Sequence, residues 1–163
     1  MINRTSEVIE KMIKYYSLDP RRVNHFLKVY SFAKSIGELE KLDEETKYIL
    51  EVSAIVHDIG IKVSEEKYNS SAGNYQEIEG PPVAKFMLSE LSFDEDIINR
   101  VCYLVGHHHT YKNIDGIDYQ ILIESDFLVN IYEDNIGEEQ IKSIRDKYFK
   151  TKTGIQFLNN IYL

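Results

Sequence analysis

The chain has 163 residues, 27 acidic and 19 basic for a net charge of −8, and a single cysteine. That length suits one domain whose core needs no disulfide or metal staple, and a lone thiol excludes both an internal disulfide and a cysteine-cluster metal site. The negative charge disfavours the phosphate-backbone attraction that dominates binding to long nucleic acids, but a divalent cation with a few Lys or Arg side chains could still recruit a small phosphorylated ligand.

Almost every segment repeats its apolar residues at the helical period, so the expectation is an all-α fold, a compact helical bundle forming a single domain over residues 1–163. Val8, Ile9, Met12 and Ile13 mark a first amphipathic helix ending near Ser17. Asp19-Pro20 supplies an N-cap followed by proline at the first helical position, and the second helix runs to about Leu39. Asp43, Glu44 and Glu45 start a third, which carries Ile49, Val52, Ala54, Ile55 and Val56 into His57-Asp58 and stops near Gly60. From Ile61 to about Tyr75 the apolar period disappears, which predicts a long loop. Pro81 and Pro82 predict the first turn of a further helix reaching Leu91, and the next extends from about Asp94 to His107-His108-His109. Cys102 lies in the apolar run VCYLV, where core packing is expected. Asp115-Gly116 turns the chain into the helix bearing Asp126, Gly137 separates off a charged helix, and Thr153-Gly154 precedes a short last one. No run of about 18 apolar residues offers a membrane span, and the polar N-terminus lacks the apolar stretch of a secretory signal; a cytoplasmic protein with no membrane partner is expected.

Four residues stand out against this apolar background: His25, the pair His57 and Asp58, and Asp126. His25 shares a helical face with Arg22, Val29 and Phe32, so it points where its helix buries apolar mass. Taken alone it reads better as a core histidine bonded to a backbone carbonyl. Asp126, in ILIESDFLVNIY, has apolar neighbours on nearly all sides and needs a compensating partner, either a structural ion pair or a metal. A shared divalent ion would satisfy all four. Mixed imidazole and carboxylate ligands suit Mn, Fe, Co, Ni, Zn or Mg without choosing among them.

The order His, His-Asp, Asp in RVNHFLKVYSFAKSIG, SAIVHDIGIK and ILIESDFLVN resembles the HD-domain superfamily of metal-dependent phosphohydrolases over roughly residues 20–133, leaving 134–163 as a C-terminal helical extension. The resemblance implies hydrolysis of a phosphomonoester or phosphodiester, with a small phosphorylated partner such as a nucleotide or dinucleotide. In that reading His25, His57, Asp58 and Asp126 hold the metal, and Asp58 also orients or deprotonates the attacking water. Arg22 and Lys62 are the expected phosphate contacts, with ordinary surface charge as the other reading. Relatives with two metals add a midway histidine and one or two more before the final aspartate. His107 and His108 resemble the latter, but Gln76 stands where the midway histidine is expected, with Glu79 three residues on as a substitute carboxylate. A second ion on His107, His108 and Glu79, or a polar hydrogen-bonded mouth, are the two readings of this cluster. Tyr68, Tyr75 and Tyr111 flank the site and could stack a base. IDGIDY follows the histidines where the cyclic-dinucleotide phosphodiesterases carry Gly-Tyr-Pro, which lowers that activity. A di-iron oxygenase and an inactive ligand-binding module are the alternatives, and a homo-oligomer is compatible with all of these readings.

Overall fold

The computed structural model describes residues 2–163. Among them there are nine helices and no strand: α1 Thr5–Tyr15, α2 Pro20–Leu39, α3 Glu44–Val56, α4 Ile61–Tyr68, α5 Gly73–Glu90, α6 Glu95–Val105, α7 Ile117–Glu133, α8 Glu138–Tyr148 and α9 Lys152–Tyr162. The all-α expectation therefore holds. One contiguous hydrophobic core draws side chains from Val8 in α1 to Leu158 in α9. Its centre is α3, where every residue from Tyr48 to Val56 is buried, and α2 packs across α3 and α7.

Capping residues account for most boundaries. Asp19 accepts a hydrogen bond from Arg22 N and Asp43 one from Thr46 N, each satisfying an otherwise orphaned amide at the start of α2 and α3. Glu124, fully buried in α7, ties down the start of α9: its carboxylate accepts from Lys150 N, Thr151 N, Thr151 Oγ1 and Gln120 Nε2 at 2.6–3.0 Å. Two of those donors are backbone amides leading into a helix N-terminus, where negative charge is favourable.

Three sequence expectations need correction. Residues 61–75 are not one loop: Ile61–Tyr68 forms α4, whose buried side is only Ile61 and Ser64, too little apolar surface to show a period. Asn69, left-handed at φ 52°, ends it. Pro81 and Pro82 do not open a helix but lie inside α5, which starts eight residues earlier at Gly73. Their missing N–H groups remove the bonds to the Glu77 and Ile78 carbonyls, a cost the extensive packing of α5 on α6 offsets. Finally, Thr153-Gly154 do not precede α9 but lie in its first turn, the helix being capped by Thr151, whose hydroxyl accepts from Gly154 N.

The turn after α3 is braced from both sides. Tyr16 donates its hydroxyl to the carbonyls of Ile59 and Asp58, at 3.0 and 3.2 Å, and accepts from Lys62 N. On the other face Gly60 meets Gly80 of α5 so closely that a Cβ would lie 2.6 Å from Gly80 N. The glycine is required by this backbone approach, since its φ of −77° is open to any residue.

Candidate metal centre

His25 and His57 bring their Nε2 atoms to 3.0 Å of each other. Asp58 Oδ2 and Asp126 Oδ1 lie 3.1 and 3.2 Å from His25 Nε2, and each lies 3.4 Å from His57 Nε2. Donors held about 2.1 Å from one ion are separated by roughly 3.0 to 3.4 Å along the edges of an octahedron or tetrahedron, so these separations suit a shared cation. The four residues, from α2, the turn after α3 and α7, are all buried.

The hydrogen bonds behind the cluster point the same way. His57 donates Nδ1–H to the Ala54 carbonyl at 2.7 Å, leaving Nε2 facing carboxylates with a lone pair unless it carries a second proton or meets a cation. His25 Nδ1 is oriented by Glu133 Oε1 at 3.1 Å. Asp126 Oδ1 is buried and has no hydrogen-bond partner, an orphaned acceptor that a cation would satisfy. The donor set and this unpartnered oxygen fit a divalent metal ion.

Protonation in the absence of an ion follows from the same geometry. Burial disfavours charge on His25, but the carboxylates of Asp126 and Asp58 outweigh it and raise its pKa to about 11. His57 is buried too, and Asp58 and Asp126 bring it up to about 9. Burial opposes ionisation of Asp58, yet His57, His108 and His25 hold it well below the ordinary carboxylate value; Asp126 is held down against burial by His25 and His57.

Asp58 also faces a second group. Its Oδ1 lies 3.0 Å from His108 Nε2, whose ring donates Nδ1–H to Val105 O at 2.8 Å, and 3.8 Å from His109 Nε2. Asp58, His108 and His109 thus form a smaller ligand cluster sharing Asp58 with the first. Gln76 meets it from α5: its Oε1 accepts from His109 Nε2 at 2.9 Å while its amide donates to Ser71 O. His109 is shifted down to about 4 by burial and the neighbouring His108, so it is neutral at physiological pH.

The expectation of His107, His108 and Glu79 as a second ligand set is corrected on two of its three members. His107 donates Nδ1–H to Tyr103 O and stacks on the Tyr103 ring at 4.0 Å, away from the cluster. Because α6 ends at Val105, the triplet lies in the following turn rather than on a helix, and His109 takes the inward place. Glu79 accepts from Tyr68 Oη and Lys67 Nζ, joining α4 to α5.

A cavity of about 330 Å³ opens onto the metal cluster, and Arg22 lines it as expected. Arg22 is paired with Asp19 and Glu65. Arg21, not anticipated, lines the same cavity. Lys62 does not: it reaches back to the Tyr15 carbonyl and lies over the Tyr15 ring, in a separate groove with Lys11, Lys14 and Phe86. The three tyrosines also turn elsewhere, Tyr68 and Tyr75 stacking on each other and Tyr111 packing against Phe127 and Tyr148. Cys102 is half-buried, donating to Pro81 O at 3.5 Å, and burial pushes its thiol pKa up, as packing requires. Glu133 was missed, although seven residues after Asp126 places it two turns along the same face of α7. No helix among the described residues is long and apolar enough to cross a membrane.

Comparison with known proteins agrees with this geometry. Over 98% of its length the chain is similar to the crystal structure of a predicted HD superfamily hydrolase from an uncultured Thermotogales bacterium, covering 85% of that chain with a TM-score of 0.69 and 22% identity, a likeness of fold. No curated protein matched. A family model described as the HD domain matches residues 22–149, most of the sequence and all four clustered residues, and the chain therefore belongs to the HD-domain family.

Proposed function

We propose that this protein is a metal-dependent phosphohydrolase acting on a small phosphorylated molecule, nucleotides being the class the family resemblance implies. The observation that carries the reading is the convergence of His25 Nε2, His57 Nε2, Asp58 Oδ2 and the unpartnered Asp126 Oδ1 within 4.8 Å of one another at the floor of an open cavity. A divalent ion held by these four would supply Lewis acidity toward a phosphoryl oxygen and raise the acidity of a water molecule. Asp58, with one oxygen toward His25 and the other toward His108, is placed to orient that water and take its proton. His108 Nε2, 3.0 Å from Asp58 Oδ1, braces that carboxylate from the side away from His25. Arg21 and Arg22 at the rim supply positive charge for the phosphate.

One ion is favoured over two, because His109 Nε2 already donates to Gln76 and would have to give up that bond to ligate. The test combines metal analysis of protein purified without chelator with a phosphate-release screen in Mn, Co, Ni and Mg, alongside Asp58→Ala. Expected are about one metal per chain, metal-dependent release, and a loss of a hundredfold or more in the variant, on the order of 3 kcal/mol in the barrier. Two irons per chain with O2 uptake would favour an oxygenase instead, and bound metal without turnover a ligand-binding module.

A further inference from the structure

The lining of the metal-centre cavity carries charges of both signs. The first turn of α2 contributes Arg21 and Arg22 to its lining, and the end of α7 contributes Asn130, Glu133 and the C-cap Asp134. Helix ends add to both signs, α2 contributing its positive N-terminus and α7 its negative C-terminus. Not all of these groups are free. Arg22 is held by Asp19 and Glu65, and Glu133 by His25, whereas Arg21 and Asp134 form no ion pair among the described residues.

Apart from the imidazoles of His25 and His109, no aromatic ring faces this space among the described residues. Phe26 reaches the cavity lining but is fully buried against His57 and Tyr16, and the three tyrosines that flank the site in sequence are packed elsewhere. A nucleobase gains much of its binding from a stacking partner or an apolar slot, and here the mostly polar lining offers only His109, tied to Gln76, and Ile61. The volume admits a nucleotide; the lining does not reward one.

Resting on the phosphohydrolase reading, we propose that the substrate is a compact phosphomonoester whose remaining portion is an amino- or hydroxyl-bearing chain rather than a nucleoside. Arg21 is the phosphate contact, free to form a charge-assisted pair where Arg22 is already engaged. Asp134 and Asn130 receive the amino or hydroxyl groups. Hydrolysis of such a molecule breaks the P–O ester bond, with water supplying the hydroxyl to phosphorus and a proton to the leaving alcohol.

The test is calorimetric titration of Mn-loaded protein with glycerol phosphate, ethanolamine phosphate, adenosine 5′-monophosphate and inorganic phosphate. The first two should bind at least tenfold more tightly than the nucleotide. Arg21→Ala should weaken all four ligands about tenfold with partial rescue by Arg21→Lys, and Asp134→Asn should weaken ethanolamine phosphate while leaving inorganic phosphate unchanged. Equal or tighter binding of the nucleotide, an indifferent Arg21→Ala, or no binding of any ester overturns the proposal. Selective binding without phosphate release from any ester would instead overturn the hydrolase reading and leave the ligand class standing, and release that prefers nucleotides would do the reverse.

Discussion

Glu133 Oε1 lies 3.1 Å from Nδ1 of His25, a residue 108 positions earlier in the chain. The contact fixes which nitrogen of His25 faces the metal cluster, because a carboxylate on Nδ1 keeps the hydrogen there and leaves Nε2 as the ligand atom. Replacing Glu133 by Ala should therefore weaken metal affinity about ten- to a hundredfold with the helical content unchanged. Calorimetric metal titration with circular dichroism checks this, and unchanged affinity would make Glu133 a rim charge only.

Acid–base behaviour separates stripped from loaded protein. His25 and His57 titrate at about 11 and about 9 when folded, against 6.5 ordinarily, so their contribution to stability is complete below pH 6.5 and is lost as pH rises through 9 and 11. Asp58 and Asp126 are depressed below 3.8, so theirs is present above that pH and is lost as pH falls through their folded values. Chelator-treated protein should be most stable between pH 3.8 and 6.5 and melt at progressively lower temperature toward pH 9. A bound ion must displace the imidazole protons, so metal affinity should rise with pH over the same alkaline range and the decline should vanish in excess Mn. Thermal melts with and without chelator give both curves.

Gly60→Ala tests the backbone contact beneath the metal cluster. A Cβ there meets Gly80 N at 2.6 Å and Gly80 Cα at 2.8 Å, both backbone atoms that cannot rotate aside. Overpacking of this kind costs about 1–3 kcal/mol, and the shift it forces on α5 should also displace Gln76. Denaturant unfolding should show the loss; a melting point within error of the parent would mean that α5 slides without cost.

Glu124→Ala removes a carboxylate that satisfies two backbone amides and two side chains in the interior. Stranding those donors should cost about 3 kcal/mol or more, with the end of α8 and the start of α9 losing hydrogen-exchange protection first. Metal affinity measured on the folded fraction should not change, since Glu124 lies outside the ligand cluster.

Much of this molecule is legible from local sequence because the relevant physics is local. Asp19-Pro20 and Asp43 place helix starts through caps that act within three residues, and the surrounding apolar periods give an all-α chain. The four candidate ligands are legible through the resemblance to the family's His, His-Asp, Asp order, which Asp126 and His57 support as polar groups in segments that must be buried. What remained hidden depended on contacts between distant segments. The apolar period of α4 is too sparse to read, since only Ile61 and Ser64 are buried, and α5 tolerates Pro81 and Pro82 because α6 packs along it. Which histidine of the triplet turns inward was decided by the end of α6 at Val105 and by Gln76 arriving from α5 to engage His109. Lys62 and Glu79 carry charges suited to the site, but the direction of α4 sends one to Tyr15 and ties the other to Tyr68. Residue types and periods determined a helical chain with His and Asp side chains in segments that must be buried; the packing of α2, α5 and α7 determined which of them meet in one cluster, because orientation is set by neighbours that lie far off in sequence.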